Sequence, residues 1–344
     1  MRIQLIVTAL ILSFLTGCGR PATPGGLQTQ AVETGSAENA EVEAQTEQAV
    51  GTGSAAETEA ETQTEPAVET EPADETEAGA QTEQDENEEQ MGTVKELEFY
   101  RDGMKIYGRL HLPGGAGPFP TVILAHGYAA NLSMMEGYAV SFAKHGIAAY
   151  AFDFIGGGND IKSDGTTSEM SVLTEAADMS AVLDGILALD EVDKDNVFLM
   201  GGSQGGFVAT YVAAKRCEQV KGLIALYPAY VLQDDAIKRT DNGTHVTEKY
   251  NFMGIDIGRK YDEDAISFDI FDVMKDYTGR TLIVHGTADT VAPYSYSERA
   301  VKIMPSAELV TIEGAGHVFF GKADETATKC VIDFVRSVSG TEHE

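Results

Sequence analysis

Val197–Met200 is a short apolar run, followed at once by Gly201-Gly-Ser-Gln-Gly-Gly206 and then by apolar residues at helical spacing: Phe207, Val208, Tyr211, Val212 and Ala213. A run this short suits a buried strand and cannot make a helix. The chain is therefore expected to pass from strand to helix through one sharp turn, with Ser203 at its apex. The glycines fit that geometry, because side chains at Gly201 and Gly205 would collide with strand and helix as these close up. A flexible glycine-rich turn would carry the same residues, so the rest of the chain has to decide.

Strand-then-helix recurs on both sides of this stretch. Val94–Tyr100 and Lys105–Leu112 read as strands joined by a hairpin turn at Arg101-Asp-Gly-Met104. Thr121–His126, Ala148–Phe152, Val220–Leu226, Thr281–His285 and Ala307–Ile312 read as further strands. Glu136–His145, Met170–Leu189, Gln204–Lys215, Ser295–Met304 and Glu325–Val338 carry helical patterns. A hairpin followed by repeated βα units predicts an α/β domain over residues 93–344, with a mostly parallel central sheet flanked by helices. That length suffices for a single core. Residues from about 228 to 278 break the alternation and are expected to form a small cap insertion.

In such sheets, ligands sit beyond the carboxyl ends of the strands. There the chemistry-bearing residues collect: Asp289 after Thr281–His285, His317 after Ala307–Ile312, and Gly127-Tyr128 after Thr121–His126. A loop Asp or a loop His is by itself an ordinary turn former or surface residue. The chain order Ser203, Asp289, His317, each after the strand its role requires, is what a nucleophile, an orienting carboxylate and a general base need.

On these residues the chain resembles the α/β-hydrolase fold serine hydrolases over residues 94–338. Within that fold it is similar to bacterial cinnamoyl and feruloyl esterases. The matching pieces are His126-Gly-Tyr128, the Asp153-Phe turn, Gly202-Ser-Gln-Gly-Gly206, His285-Gly-Thr-Ala-Asp289 and Glu313-Gly-Ala-Gly-His317. The turn after Asp153 departs from the pattern: it reads Ile155-Gly-Gly-Gly-Asn159 and lacks the histidine common there in such esterases. The resemblance implies a Ser203–His317–Asp289 triad and an oxyanion hole made by the backbone N–H groups of Tyr128 and Gln204. It further implies a small or aromatic carboxylic ester as substrate. His126 would hold its loop. An exopeptidase of the same fold would need cap carboxylates aimed at a substrate amine, and Glu248, Asp262, Glu263 and Asp264 are available. A binding lipoprotein without catalysis would be expected to lack a triad member. A dienelactone-type hydrolase would carry Cys at position 203.

Nothing points to a cofactor or a metal. Gly156-Gly-Gly158 lacks the lysine and helix start of a phosphate loop, and Asp160, Asp164 and Asp241 do not have calcium-loop spacing. Cys217 and Cys330 lie far apart and show no metal-ligand spacing; two cysteines in an exported protein could pair, but buried free thiols at helical positions are the favoured reading.

The first 92 residues have a different character. Arg2, the apolar run Leu5–Leu15 and Leu15-Thr-Gly-Cys18 make a signal peptide whose end resembles the bacterial lipobox, with Cys18 as the lipidated residue. Each buried acyl CH₂ contributes about 0.8 kcal/mol, so two or three chains would hold the protein to a membrane. Residues 19–92 contain no Phe, Tyr or Trp, and carry 19 of the 55 acidic residues against one basic residue, Arg20. Such a segment cannot bury enough apolar surface to offset its ordering entropy and is expected to be disordered. Units beginning at Ala31, Ala49 and Ala67 repeat every 18 residues, without an apolar stripe. They read as a duplicated spacer with a reach of about 50 Å or more. The expected setting is export, with the folded part tethered outside the membrane. The acidic balance of the whole chain, −31, argues against nucleic acid as a partner.

Overall fold

A computed structural model of the chain describes residues 92–341; the signal segment, Cys18 and the repeat lie outside the described residues. The centre of the domain is set by strands that are apolar on both faces. β3 (Phe119–Ala125), β4 (Ala148–Phe152), β5 (Val192–Gly202), β6 (Gly222–Leu226) and β9 (Arg280–Gly286) are buried along most of their length. Strands hidden on both sides belong in a parallel sheet covered by helices. An eight-stranded sheet results, in the order β1-β2-β4-β3-β5-β6-β9-β10. The hairpin of β1 (Val94–Arg101) and β2 (Met104–His111) is antiparallel and pairs antiparallel with β4. From β4 to β10 (Ala307–Ile312) every pairing is parallel.

Alternate residues of each strand feed two apolar layers. Val122 and Leu124 of β3 pack with α1 (Ser133–Lys144) and the last helix, α8 (Lys322–Ser339), whereas Ile123 and Ala125 face α2 (Val172–Leu187) and α3 (Gln204–Lys215). Complete burial of one such side chain contributes about 1.5–3 kcal/mol. α2 opens on a capping box, in which the Ser171 hydroxyl accepts from the Thr174 N–H and the Thr174 hydroxyl from the Ser171 N–H. α8 stops at Gly340, whose φ of 72° suits a left-handed cap.

Between β6 and β9 lie α4 (Leu232–Arg239), the hairpin of β7 (Lys249–Phe252) and β8 (Ile255–Gly258), α5 (Lys260–Ile266) and α6 (Ile270–Val273). α7 (Tyr294–Ile303) follows β9. β5 is longer than its apolar core because Val192 pairs with Phe119 of β3, and the polar Asp193–Asn196 fill the irregularity before the register resumes at Thr121 and Val197. Cys330 lies in α8 but Cys217 lies in the turn after α3, and both are half-buried rather than buried helical thiols. Among the described residues no helix is long and apolar enough to cross a membrane.

The chain runs from β3 outward to β4 and then back across to β5, on the other side of β3. That reversal opens a crevice at the carboxyl ends of β3 and β5.

Candidate active site

Ser203 stands at this crevice, between the end of β5 and the first residue of α3, with φ 55° and ψ −120°. A non-glycine residue pays about 1–3 kcal/mol for such a backbone. The strain is held by hydrogen bonds. The Ser203 N–H donates to the Leu226 carbonyl (3.0 Å), and its own carbonyl accepts from Gly206, Phe207 and Ala229. A Cβ on Gly201 would lie 2.2 Å from the Gly205 backbone, and one on Gly205 would lie 2.4 Å from the His126 carbonyl oxygen. Both positions therefore exclude a side chain, and the exclusion lifts the Ser203 side chain out of the turn.

His317, on the loop between β10 and α8, places Nε2 2.9 Å from Ser203 Oγ and Nδ1 2.7 Å from Asp289 Oδ2. The carboxylate can only accept, so Nδ1 carries the proton and Nε2 accepts from the serine hydroxyl. The Tyr227 ring lies edge-on to the imidazole at 5.1 Å. Asp289, buried after β9, is tied down on both oxygens. Oδ1 accepts the N–H groups of Val291 and Ala292, each at 2.9 Å, and Oδ2 accepts from His317 and, at 3.0 Å, from His285 Nε2. Burial alone would raise this carboxyl, but the bonds from His285 and His317 and the two backbone donors outweigh it and hold it well below the usual carboxylate range.

The sequence pattern alone gives His285 no role. It is fully buried, its Nδ1 accepts from the Ser297 hydroxyl of α7 at 2.6 Å, and its Nε2–H is shared between Asp289 and the Ala292 carbonyl (2.9 Å). A histidine ending an apolar strand four residues before Asp289 was the available signal.

The loop after β3 closes over the serine: a Cβ on Gly127 would lie 3.2 Å from Ser203 Cβ. The Gly127 N–H is used by the Met134 sulfur at 3.2 Å. The N–H groups of Tyr128 and of Gln204, at the start of α3, carry no hydrogen bond to another described residue. A helix N-terminus with such donors favours an anion. His126 is a loop clamp: its Nδ1–H donates to the Gly127 carbonyl (2.8 Å) and its Nε2 accepts from the Phe154 N–H (3.2 Å). Burial pushes this imidazole down, towards the neutral form such a clamp needs. The turn that lacks a histidine packs here instead. A side chain on Gly158 would meet the Ala130 carbonyl oxygen at 2.1 Å, so glycine lets the 153–160 turn lie directly on the loop.

Of the residues singled out in the sequence, Ser203, His317 and Asp289 form one hydrogen-bonded chain, Gln204 follows the serine, and Tyr128 follows Gly127 on the loop that lies against it. Cys18 lies outside the described residues. Among the described residues no group of three or more His, Cys, Asp or Glu could hold a metal ion.

Comparison with known proteins agrees with this architecture. Est1E from Butyrivibrio proteoclasticus, in a structure with ferulic acid bound, superposes with a TM-score of 0.66 at 25% identity, over 71% of this chain and 99% of that one. The α/β hydrolase GrgF from Penicillium sp. sh18 superposes at 0.61 and 19% identity, over 72% and 99% of the two chains, a likeness of fold alone. The chain has the α/β-hydrolase fold. Within it, a family model described as serine aminopeptidase, S33, matches residues 116–250, and one described as TAP-like protein matches residues 269–342. Esterase FrsA of Escherichia fergusonii is 32% identical over 142 residues, which make up 40% of this chain and 32% of FrsA. The chain thus spans about a third of the length of the curated relatives it matches.

Proposed function

We propose that the protein is a serine carboxylic-ester hydrolase working through an acyl-enzyme on Ser203. One observation carries this reading: an unbroken hydrogen-bond relay from Ser203 Oγ through His317 to Asp289 at a strained turn, beside two backbone N–H groups that have no partner among the described residues. His317 Nε2 takes the serine proton as Oγ attacks the ester carbonyl. Asp289 holds the imidazole tautomer and stabilises the imidazolium. The N–H groups of Gln204 and Tyr128 receive the oxyanion, where loss of one donor typically costs about 2.7–4 kcal/mol. His317 then returns the proton to the leaving alkoxide, and water repeats the sequence to free the acid.

A small aromatic ester is the substrate class that suits the surroundings. Tyr128 and Phe252, both half-buried, meet edge to face at 5.4 Å beside the oxyanion loop. Other aromatics of the 228–278 segment are spent on packing: Tyr230 bonds Thr210 of α3, and Phe268 lies against Phe207 and Tyr211. The ferulic acid bound by Est1E is an aromatic carboxylic acid of that kind.

The aminopeptidase description of one family model favours a second reading, hydrolysis of peptides from a free amino end. Its requirement for an uncommitted acidic group is poorly met. Asp262 is buried between Arg239 (2.5 Å) and the Tyr250 hydroxyl (2.6 Å), Glu248 and Glu263 both pair with Arg259, and Asp264 accepts from Ser171 (2.5 Å) and lies 3.3 Å from Lys260. Every candidate carboxylate is already engaged. The proposed setting, from the lipobox at Cys18 and the acidic spacer, is outside the membrane on a lipid anchor.

Turnover of short-chain nitrophenyl esters, methyl hydroxycinnamates and aminoacyl anilides by the purified protein tests the reading. Ester turnover abolished by Ser203→Ala is expected. Anilide turnover without ester turnover would replace it with the peptidase, and ester turnover unchanged in Ser203→Ala would remove the mechanism.

A further inference from the structure

Gln204, the proposed backbone donor to the oxyanion, also carries a buried side chain with two committed partners. The Gln204 carboxamide is 1% exposed; its Nε2–H donates to Glu175 Oε2 of α2 at 2.8 Å, and its Oε1 accepts the Tyr261 hydroxyl of α5 at 2.7 Å. Glu175 and Tyr261 are each 1% exposed as well. Surface glutamines move among rotamers, whereas this one is stretched between two helices. We infer that Tyr261 is a positioning residue for the oxyanion donor at Gln204, pulling on its carboxamide against Glu175. The inference rests on the esterase reading of Ser203.

Three observations support it. First, α5 is moored independently of Gln204, as a fixed post must be. Asp262 is held by Arg239 of α4, and Asp264 by the Ser171 hydroxyl at the start of α2. Second, the same segment holds the other oxyanion residue. The Tyr128 hydroxyl donates to the Phe252 carbonyl of β7 at 2.7 Å, and the Tyr128 and Tyr261 rings meet edge to face at 5.6 Å. Both N–H donors therefore belong to residues whose side chains are bonded to residues 252–261. Third, the chain Glu175–Gln204–Tyr261 lies in a dry interior. Glu175 Oε1 is buried without a hydrogen-bond partner, and burial raises both the Glu175 carboxyl and the Tyr261 phenol well above their usual ranges. In such a medium a hydrogen bond holds its geometry firmly, and a group stripped of its partner is costly.

An oxyanion donor acts on the tetrahedral intermediate rather than on the ground-state ester, so its displacement lowers kcat and leaves KM nearly unchanged. Tyr261→Phe, which removes one oxygen and keeps the ring, is expected to lower kcat about 10-fold with KM within about twofold. Gln204→Ala should lower kcat by at least as much. Adding Tyr261→Phe to Gln204→Ala should then change kcat by less than about twofold, because both changes cut one chain. Glu175→Gln, which keeps an acceptor for Gln204 Nε2, should recover most of what Glu175→Ala loses. The ester assay used is the one that Ser203→Ala abolishes, with thermal melting to confirm that each variant is folded. An undiminished kcat in Tyr261→Phe, a change confined to KM, or losses that multiply in the double variant would each overturn the positioning role. Ester turnover surviving in Ser203→Ala would instead overturn the reading beneath it.

Discussion

Asp289 and Glu175 are both buried carboxyl groups bonded to the candidate machinery, and their surroundings shift them in opposite directions. Asp289 receives four donors, from His317, His285, Val291 and Ala292, and its carboxyl is held down. Glu175 receives one, from Gln204, and burial raises it well above the usual range. Asp178, one turn along α2 from Glu175, falls between them. With Arg101 on one oxygen and the Ile155 N–H on the other, it is pushed up by burial only to about 6. Burial is common to all three, so the donors decide the direction of the shift. A charged carboxylate suits the group that must stabilise an imidazolium, whereas a neutral one suits a group that only has to accept an amide N–H.

The sharpest way to break this contrast is Asp289→Asn. The change keeps the shape but puts an N–H where an acceptor is needed, so His317 loses the tautomer that accepts from Ser203. A fall in kcat of about 10⁴-fold is expected; a loss within 10-fold would mean that Asp289 is a structural residue like Asp178. His285 comes next. His285→Leu removes one of the two side-chain donors to Asp289, and a kcat loss of about 10-fold is expected from a charge-assisted bond. His285→Gln, which can still present an N–H, should lose less. Equal losses in the two variants would assign His285 to packing.

The smallest effect is on stability. The Glu175 carboxyl titrates higher in the folded protein than in the unfolded chain, so the sign is fixed. Well below the ordinary glutamate value of 4.5, both states are protonated and folding costs nothing at this site. As pH rises past 4.5, only the unfolded chain ionises, and the native state loses stability until Glu175 itself gives up its proton. Glu175→Gln escapes that loss. The Tm of Glu175→Gln relative to the native protein should therefore rise between pH 4 and pH 8, by about 2–4 °C for each kcal/mol relieved in a domain of this size. A difference that is flat or falls with pH would mean that Glu175 ionises in the folded state and that the contrast with Asp289 is false.

The parts of this arrangement that were legible in the sequence are local ones. The Gly201–Gly206 turn, the strands around it, and Asp289 and His317 just beyond strand ends are each encoded within about ten residues, and the turn chemistry of glycine and the apolar runs mark them. The turn marks Gln204 as a backbone donor, but the partners of its side chain, Glu175 and Tyr261, lie 29 and 57 residues away and carry no local mark. Glu175 lies in a helix that reads as ordinary amphipathic pattern, and its burial depends on α3 and α5 closing over it. The β7–β8 hairpin is not legible in the sequence for another reason. Its strands of four residues are half polar, and only Met253 and Gly254, both at positive φ, mark the turn. The acidic residues between 248 and 264 looked available in sequence because an ion pair with Arg239 or Arg259 is a tertiary fact.

The most direct measurement of the central claim is the site of covalent labelling. A fluorophosphonate, which reacts with an activated serine as an ester does, would be incubated with the purified protein and the adduct located by peptide mass spectrometry. One adduct per chain on Ser203 is expected, absent in Ser203→Ala and slowed at least about 10³-fold in His317→Ala. Labelling of another residue, or labelling of Ser203 at an undiminished rate without His317, would contradict the account.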